Sequence, residues 1–109
     1  MKNYDQPFLS LVIPTYNEAG NLEILLQRIA VSMESRKYEV VIVDDNSPDG
    51  TGDKAEALSD LYPMQVVHRS GKKGLASAVI EGFGVAKGNV LGWIDADLSH
   101  PPEVIPKLL

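Results

Sequence analysis

Apolar residues along the chain alternate between short continuous runs and stripes at helical spacing. The continuous runs predict four buried strands, at Leu9–Ile13, Val40–Val43, Met64–Val67 and Val90–Ile94. Pro14 follows the first run directly and is expected to end that strand. Between the runs, apolar residues recur every three or four positions, which predicts amphipathic helices beginning near Asn21, near Ala55 and at Leu75. Alternation of this kind predicts an α/β fold with a mostly parallel sheet and right-handed crossovers.

Polar residues gather where each predicted strand ends. The four polar segments are Thr15–Gly20, Asp44–Gly50, Arg69–Gly74 and Asp95–His100. In open parallel sheets, ligands bind outside the carboxyl ends of the strands, where these loops meet. The pattern therefore predicts one site assembled from four loops.

Length, charge and composition exclude some classes of function. The 109 residues fit one small domain, and the net charge of −5 argues against a general nucleic-acid binder, whose affinity comes from neutralising phosphates. The absence of cysteine excludes disulfides and thiolate metal sites. The segment from Pro101 to Leu109 begins like a helix but has no C-cap, so we expect the chain to be a piece of a longer protein.

Two acidic clusters carry the candidate chemistry. Asp44 and Asp45 could hold a metal, bind a nucleotide or end a strand in solvent, and the pair alone does not decide among these roles. In an extended backbone Asp95, Asp97 and Ser99 would point to the same side. Neighbouring carboxylates repel each other unless a cation lies between them, so this cluster predicts Mg²⁺ or Mn²⁺, with a plain polar loop as the alternative.

The glycine pattern at residues 82, 84 and 88 is a weaker signal. Its spacing differs from that of the dinucleotide-binding fingerprint, and it falls inside a predicted helix rather than after a strand. We therefore expect Gly82 and its neighbours to serve close packing of the helix on the sheet.

Four segments together resemble a known family. They are Pro14–Glu18 (PTYNE), Val43–Thr51 (VDDNSPDGT), Lys73–Leu75 (KGL) and Asp95–Glu103 (DADLSHPPE). Their order and spacing are similar to those of inverting family-2 glycosyltransferases, and most of all to dolichyl-phosphate, or polyprenyl-phosphate, mannosyltransferases. The resemblance implies a Rossmann-like, nucleotide-sugar-binding fold of GT-A type. It also implies that residues 1–109 form the donor-binding part, while the acceptor half lies beyond Leu109.

Carried over by position, the resemblance assigns roles around the donor nucleotide. Pro14 and Tyr16 would pack beside the base and the ribose, and Glu18 would accept hydrogen bonds from the nucleoside. Val43 and Asp45 would line the base pocket, with Asp45 accepting from an N–H group of the base. These five residues are predicted to bind substrate.

The resemblance places the sugar and the metal at the second acidic cluster. Asp95 and the backbone of Ala96 would contact the ribose or the sugar. Asp97 is the implied catalytic residue and metal ligand, for Mg²⁺ or Mn²⁺ bridging the diphosphate. Ser99 stands where family members often carry glutamine as a further metal ligand, and it is a shorter and weaker donor. Lys73, in the third loop, is predicted to lie near the diphosphate, with a solvated loop lysine as the alternative.

The implied reaction transfers a mannosyl group from GDP-mannose to dolichyl or another polyprenyl phosphate with inversion. The acceptor phosphate is already an anion, so no strong general base is needed. Such a protein is expected in the cytoplasm, peripheral or anchored at the cytoplasmic face of a membrane, and the 109 residues alone are expected to lack transferase activity. Two alternatives stay open: a related transferase that uses UDP-glucose or another donor, with a polyprenyl phosphate or a glycan as acceptor, and a non-catalytic nucleotide-binding module.

Overall fold

A computed structural model describes residues 6–71 and 74–109 and confirms the predicted α/β fold. The strands are β1 (Leu9–Thr15), β2 (Tyr38–Asp44), β3 (Met64–His68) and β4 (Val90–Trp93). The helices are α1 (Ala19–Ser32), α2 (Thr51–Leu58), α3 (Leu75–Val85) and the short α4 (Ile105–Leu108), which a 3₁₀ turn at Pro102–Val104 precedes.

The four strands form one parallel sheet in the order β3-β2-β1-β4. In its register Thr15 of β1 lies opposite Asp44 of β2, and Asp44 lies opposite His68 of β3. Because every strand pair is parallel, all four carboxyl ends lie at the same edge of the sheet. The polar loops that follow the strands are therefore gathered at that edge, as predicted.

The first strand extends past Pro14, so the prediction that this proline ends it is wrong. Pairing with β4 stops at Val12, whose carbonyl accepts a hydrogen bond from the N–H of Ile94 at 3.1 Å. The backbone of Pro14, two residues later, is directed to the same side as that of Val12. Because β4 has already ended there, the missing N–H of Pro14 removes no hydrogen bond between strands. Pairing with β2 continues to Thr15, whose carbonyl accepts from the N–H of Asp45 at 3.1 Å.

Two apolar clusters cover the two faces of the sheet. On one face, the predicted stripe of α1 is buried throughout, at Leu22, Leu25, Leu26, Ile29 and Met33. On the other face, Val12, Val41 and Val43 pack with Ala78 of α3.

Helix α3 approaches the sheet closely at Gly82. A Cβ atom added there would lie 2.5 Å from Cγ1 of Val12, closer than real side chains approach one another. This contact confirms the predicted packing role of Gly82.

Several predicted boundaries move by a few residues. Helix α2 begins at Thr51, four residues before the predicted start near Ala55, and ends at Leu58. Strand β4 ends at Trp93, one residue early. Among residues 6–71 and 74–109, none of the helices has the length and apolar character that crossing a bilayer requires.

Candidate functional site

A cavity of about 170 Å³ opens at the carboxyl edge of the sheet. It is lined by Pro14, Thr15, Tyr16, Glu18, Asp45, Gly74 and Leu75. These residues come from the end of β1 and the turn after it, from the residue that follows β2, and from the start of α3. The structure thus brings together four of the residues predicted to bind substrate: Pro14, Tyr16, Glu18 and Asp45.

Val43, which was also predicted to line the base pocket, does not belong to this cavity wall. Val43 is fully buried in the apolar cluster that also contains Ala78 of α3, so its side chain does not line the cavity. Lys73 lies outside the described residues, so its predicted place near a diphosphate stays a prediction.

The turn after β1 is held in place by side chains of the segment after β2. The backbone N–H groups of Asn17, Glu18 and Ala19 donate to Ser47 Oγ at 2.9 Å, Thr51 Oγ1 at 3.0 Å and Asp49 Oδ2 at 3.2 Å. These groups would otherwise lack partners at the start of α1, and side-chain oxygens commonly satisfy them there. The PTYNE and SPDGT segments are therefore one structural unit.

Asp49 is the charged member of this unit. Its carboxylate also accepts hydrogen bonds from the hydroxyl and the N–H of Thr51, the latter at 3.0 Å. These bonds, from the Thr51 hydroxyl first and from backbone N–H groups next, hold the pKa of Asp49 below its ordinary value. An ionised carboxylate is also well placed beside the N-terminus of α1, whose dipole favours negative charge.

Asp44 stabilises the turn that follows β2. Its buried carboxylate accepts hydrogen bonds from the Thr15 hydroxyl at 2.7 Å and from the hydroxyl and the N–H of Ser47 at 2.6 and 3.0 Å. Asn46, which follows the acidic pair, has a φ of 57°, a conformation that asparagine tolerates better than most residues. Asp44 thus connects β1, β2 and the turn.

Asp45 faces the cavity and pairs with an arginine that the sequence analysis did not single out. Arg69 directs Nε to Asp45 Oδ1 and Nη2 to Asp45 Oδ2, the latter at 2.9 Å. The two side chains are only 3% and 9% exposed. The signal that could have found the pair is the parallel register, since each residue directly follows its strand on neighbouring strands.

The loop after β4 does not have the extended backbone that we assumed. Residues Ala96 and Asp97 form a turn, and Leu98 has a φ of 67°, which is rare for leucine. Asp95, Asp97 and Ser99 therefore do not alternate as in a strand, and the argument that they point to one side is wrong. Ala96 is buried in the core, and these residues do not line the cavity described above.

The hydrogen bonds around Asp97 nonetheless favour its ionised form. The N–H of Ser99 donates to Asp97 Oδ1 at 3.0 Å, and hydrogen bonds from the Ser99 hydroxyl and N–H lower the pKa of this exposed carboxylate. Asp95 lies nearby in sequence, with Oδ2 4.0 Å from His100 Nδ1. Ser99 thus acts here as a partner of Asp97.

The loop after β4 offers oxygen ligands for a divalent cation but not a complete coordination shell. Within the part of the chain that the structure describes, no three His, Cys, Asp or Glu side chains converge as metal ligands do. Mg²⁺ and Mn²⁺ commonly bind through one or two carboxylates and complete their shell with substrate phosphates and water. The oxygen donors of Asp97, an exposed and ionised carboxylate, and of Ser99 fit an ion held in this way.

Comparison with known proteins identifies the family of the chain. The family described as glycosyl transferase family 2 matches residues 10–109. A dolichol-phosphate mannosyltransferase from Pyrococcus furiosus is 55% identical over 101 residues, which cover 93% of this chain and 29% of that protein. An undecaprenyl-phosphate mannosyltransferase from Micrococcus luteus is 45% identical over 102 residues, which cover 90% of this chain and 41% of that protein. The chain therefore spans less than half the length of these two relatives.

A solved structure supports the fold. A mannosyltransferase from Pyrobaculum calidifontis, in complex with GDP-Man and Mn²⁺, superposes with a TM-score of 0.75 at 31% identity, over 84% of this chain and 28% of that one. This likeness confirms the GT-A type of fold that the sequence resemblance implied. With the family match extending over nearly all of its residues, the chain belongs to glycosyl transferase family 2.

Proposed function

We propose that residues 1–109 are the donor-binding part of a longer glycosyltransferase that transfers a mannosyl group from GDP-mannose to a polyprenyl phosphate such as dolichyl phosphate. The observation that carries this proposal is the cavity at the sheet edge, which gathers Pro14, Tyr16, Glu18 and Asp45. These residues belong to a chain that is 55% identical to a dolichol-phosphate mannosyltransferase.

The cavity suits a nucleoside. Tyr16 is 41% exposed and lines the cavity, and Pro14 adds apolar surface to the same wall. Glu18 is oriented by the amide of Asn21, which donates to its Oε1 at 3.1 Å. In our proposal, Tyr16 and Pro14 pack against the nucleoside, and Glu18 accepts hydrogen bonds from its hydroxyl groups.

Asp97 and its neighbours would bind the reacting end of the donor. They follow β4, which lies beside β1, so this loop starts next to the end of β1 and the turn after it, which supply Pro14 and Tyr16. A divalent cation bound at Asp97, with Ser99 close by, would neutralise charge on the departing diphosphate. Asp95 and the Ala96 backbone would orient the ribose or the sugar.

The chemistry needs little else from this part of the protein. An oxygen of the acceptor phosphate forms the new bond to the anomeric carbon on the face opposite the diphosphate. The bond from that carbon to the diphosphate oxygen breaks, its electron pair leaves with GDP, and the configuration is inverted. Because the acceptor is already ionised, no side chain has to remove a proton from it.

Donor binding is tested first, by thermal shift of the full-length protein with GDP-mannose, with UDP-glucose, and with each in the presence of Mn²⁺. A ligand that binds the folded state raises the midpoint of unfolding. We expect GDP-mannose with Mn²⁺ to raise the unfolding midpoint more than UDP-glucose with Mn²⁺ does. A larger shift with UDP-glucose would instead support a related transferase with a different donor.

Transfer is tested with GDP-mannose and dolichyl phosphate, comparing wild type with Asp97→Ala and with Asp60→Ala, an exposed acid on another part of the surface. We expect Asp97→Ala to lower the rate by about 100-fold or more, as losses of transition-state charge stabilisation do, and Asp60→Ala to change it little. Equal rates for wild type and Asp97→Ala would remove Asp97 from the mechanism.

Two further parts of the proposal concern the acceptor half and the membrane. We propose that the 109 residues alone lack transferase activity, and formation of lipid-linked mannose by the isolated fragment would contradict this. We also propose that the full-length protein acts at the cytoplasmic face of a membrane, where the phosphate of a polyprenyl lipid would be presented. Recovery of all transferase activity in a membrane-free fraction would contradict that location.

A further inference from the structure

The guanidinium of Arg69 uses all of its hydrogen-bonding capacity inside the protein. Arginine has five N–H donors. In this structure Nε and Nη2 contact Asp45, and Nη2 also donates to the Gly74 carbonyl at 3.2 Å. Nη1 donates to Ser77 Oγ at 2.8 Å and to Glu81 Oε1 at 3.4 Å. In this conformation, Arg69 has no donor left for a phosphate or a base.

Two acceptors of Arg69, Asp45 and Gly74, belong to different parts of the cavity wall. Asp45 forms the wall contributed by the end of β2, while Gly74 and the adjacent Leu75 form the wall contributed by the start of α3. Gly74 has a φ of 95°, so its carbonyl is presented by a backbone conformation that most residues avoid. Arg69 connects these two walls through one rigid, planar group.

The pair also limits how Asp45 can contact a base. Each carboxylate oxygen of Asp45 already accepts a hydrogen bond from Arg69 in a side-by-side arrangement. An ionised carboxylate has about four lone-pair sites, so acceptor capacity remains, but the face that offers both oxygens together is occupied. Asp45 can therefore accept single hydrogen bonds from a base, in an orientation that Arg69 sets.

We propose that Arg69 is a positioning residue of the donor site, which fixes Asp45 and the Gly74–Leu75 wall at the separation that the nucleoside requires. This inference rests on the proposed function, because it concerns how the same cavity selects the donor. A lysine cannot replace Arg69, since a single ammonium group cannot reach both walls in a planar, five-donor geometry.

The test measures the affinity of the full-length protein for two probes, GDP and inorganic pyrophosphate, each with Mn²⁺, at a temperature where every variant is folded. The variants are Arg69→Lys and, as a matched control, Arg36→Lys, whose exposed arginine stacks on Phe8 at the amino-terminal side of β2. We expect Arg69→Lys to weaken GDP binding by about tenfold, in line with the loss of one or two hydrogen bonds to charged groups. Binding of pyrophosphate, which has no base, is expected to change by less than about twofold, and the control to change neither.

Two additions keep the result decisive. If Arg69→Lys does not fold, Ser77→Ala removes one outer contact of the guanidinium and is expected to weaken GDP binding by about threefold with no effect on pyrophosphate. In a double-mutant cycle, Asp45→Asn should add little to Arg69→Lys, because the two residues act as one unit.

Unchanged affinity for GDP in Arg69→Lys, or in Ser77→Ala where Arg69→Lys does not fold, would overturn this inference, as would equal losses for GDP and pyrophosphate or fully additive effects in the cycle. Each of these results leaves the proposed function intact. Failure of the wild-type protein to bind GDP would instead overturn the proposed function, and this inference with it.

Discussion

Replacement of Asp44 tests whether the two adjacent acids have separate roles. Asp44 is 2% exposed and accepts hydrogen bonds from Thr15 and Ser47, at distances of 2.6 to 3.0 Å. In Asp44→Ala the buried Thr15 hydroxyl loses its acceptor, and the Ser47 groups are left to the water that can reach them. Hydrogen bonds to a charged group contribute about 1.5–3 kcal/mol each, and regaining water on the Ser47 side offsets part of the loss. We therefore expect the free energy of unfolding to fall by about 3 kcal/mol.

The assay is urea unfolding followed by circular dichroism, with Asp60→Ala as the control at an exposed acid. We expect the control to lie within about 0.5 kcal/mol of wild type, as surface substitutions usually do. A loss in Asp44→Ala no larger than that of the control would refute the structural role of Asp44. The roles would be reversed if Asp44→Asn weakened GDP binding more than Asp45→Asn while leaving the stability unchanged.

Three further predictions concern packing, a buried carboxylate and pH. Gly82→Ala places a methyl group 2.5 Å from Val12 and is expected to destabilise the protein by about 1–3 kcal/mol. Gly84→Ala, in the same helix but with open space around it, should stabilise the protein by about 0.5–1 kcal/mol. Thermal unfolding of both variants measures the two effects. Glu39→Ala removes a buried carboxylate that accepts from a hydroxyl, a side-chain amide and a backbone N–H, so urea unfolding should show a loss of about 3 kcal/mol, and a loss below about 0.5 kcal/mol would contradict this. The pKa of Glu103 is lowered from 4.5 to about 2, mainly by the hydrogen bonds that Arg28 donates to it. Ionised Glu103 therefore stabilises the fold fully above about pH 4.5, and this contribution is lost as the pH falls towards 2. Thermal midpoints of Glu103→Gln should therefore decline less than those of wild type across that range, by a small amount because the pair is exposed, and parallel declines would contradict the assignment.

Periodicity predicted most of the architecture because it reports directly on burial. The stripe from Leu22 to Met33 had to face the sheet, and all five of its residues are buried. At Pro14, where the pattern misled us, a neighbouring strand decided the outcome. Pro14 stays in β1 because the neighbouring strand has already ended on that side, and this depends on the length of β4, which the residues around Pro14 do not encode.

The acidic clusters show which parts of a site a sequence can and cannot reveal. The role of Asp44 was predictable because its partner Ser47 lies three residues away, within the same turn. The pairing of Asp45 with Arg69 joins residues 24 positions apart, and it becomes visible only once β2 and β3 are known to be adjacent and in register.

The second cluster illustrates the opposite difficulty, because its residues are close in sequence and were still placed wrongly. We assumed an extended chain from Asp95 to Ser99, but the left-handed conformation of Leu98 turns the backbone, and the Ser99 N–H donates to Asp97. Leucine rarely adopts a left-handed conformation, so a leucine at this position of the sequence does not predict one. Such a conformation has to be held by its surroundings, and here Leu98 packs against the main apolar cluster, which also contains the buried side chains of Ala96 and Ile105. The orientation of Asp97 is therefore set by core packing, and this is why neither the spacing of the acids nor their charge could predict it.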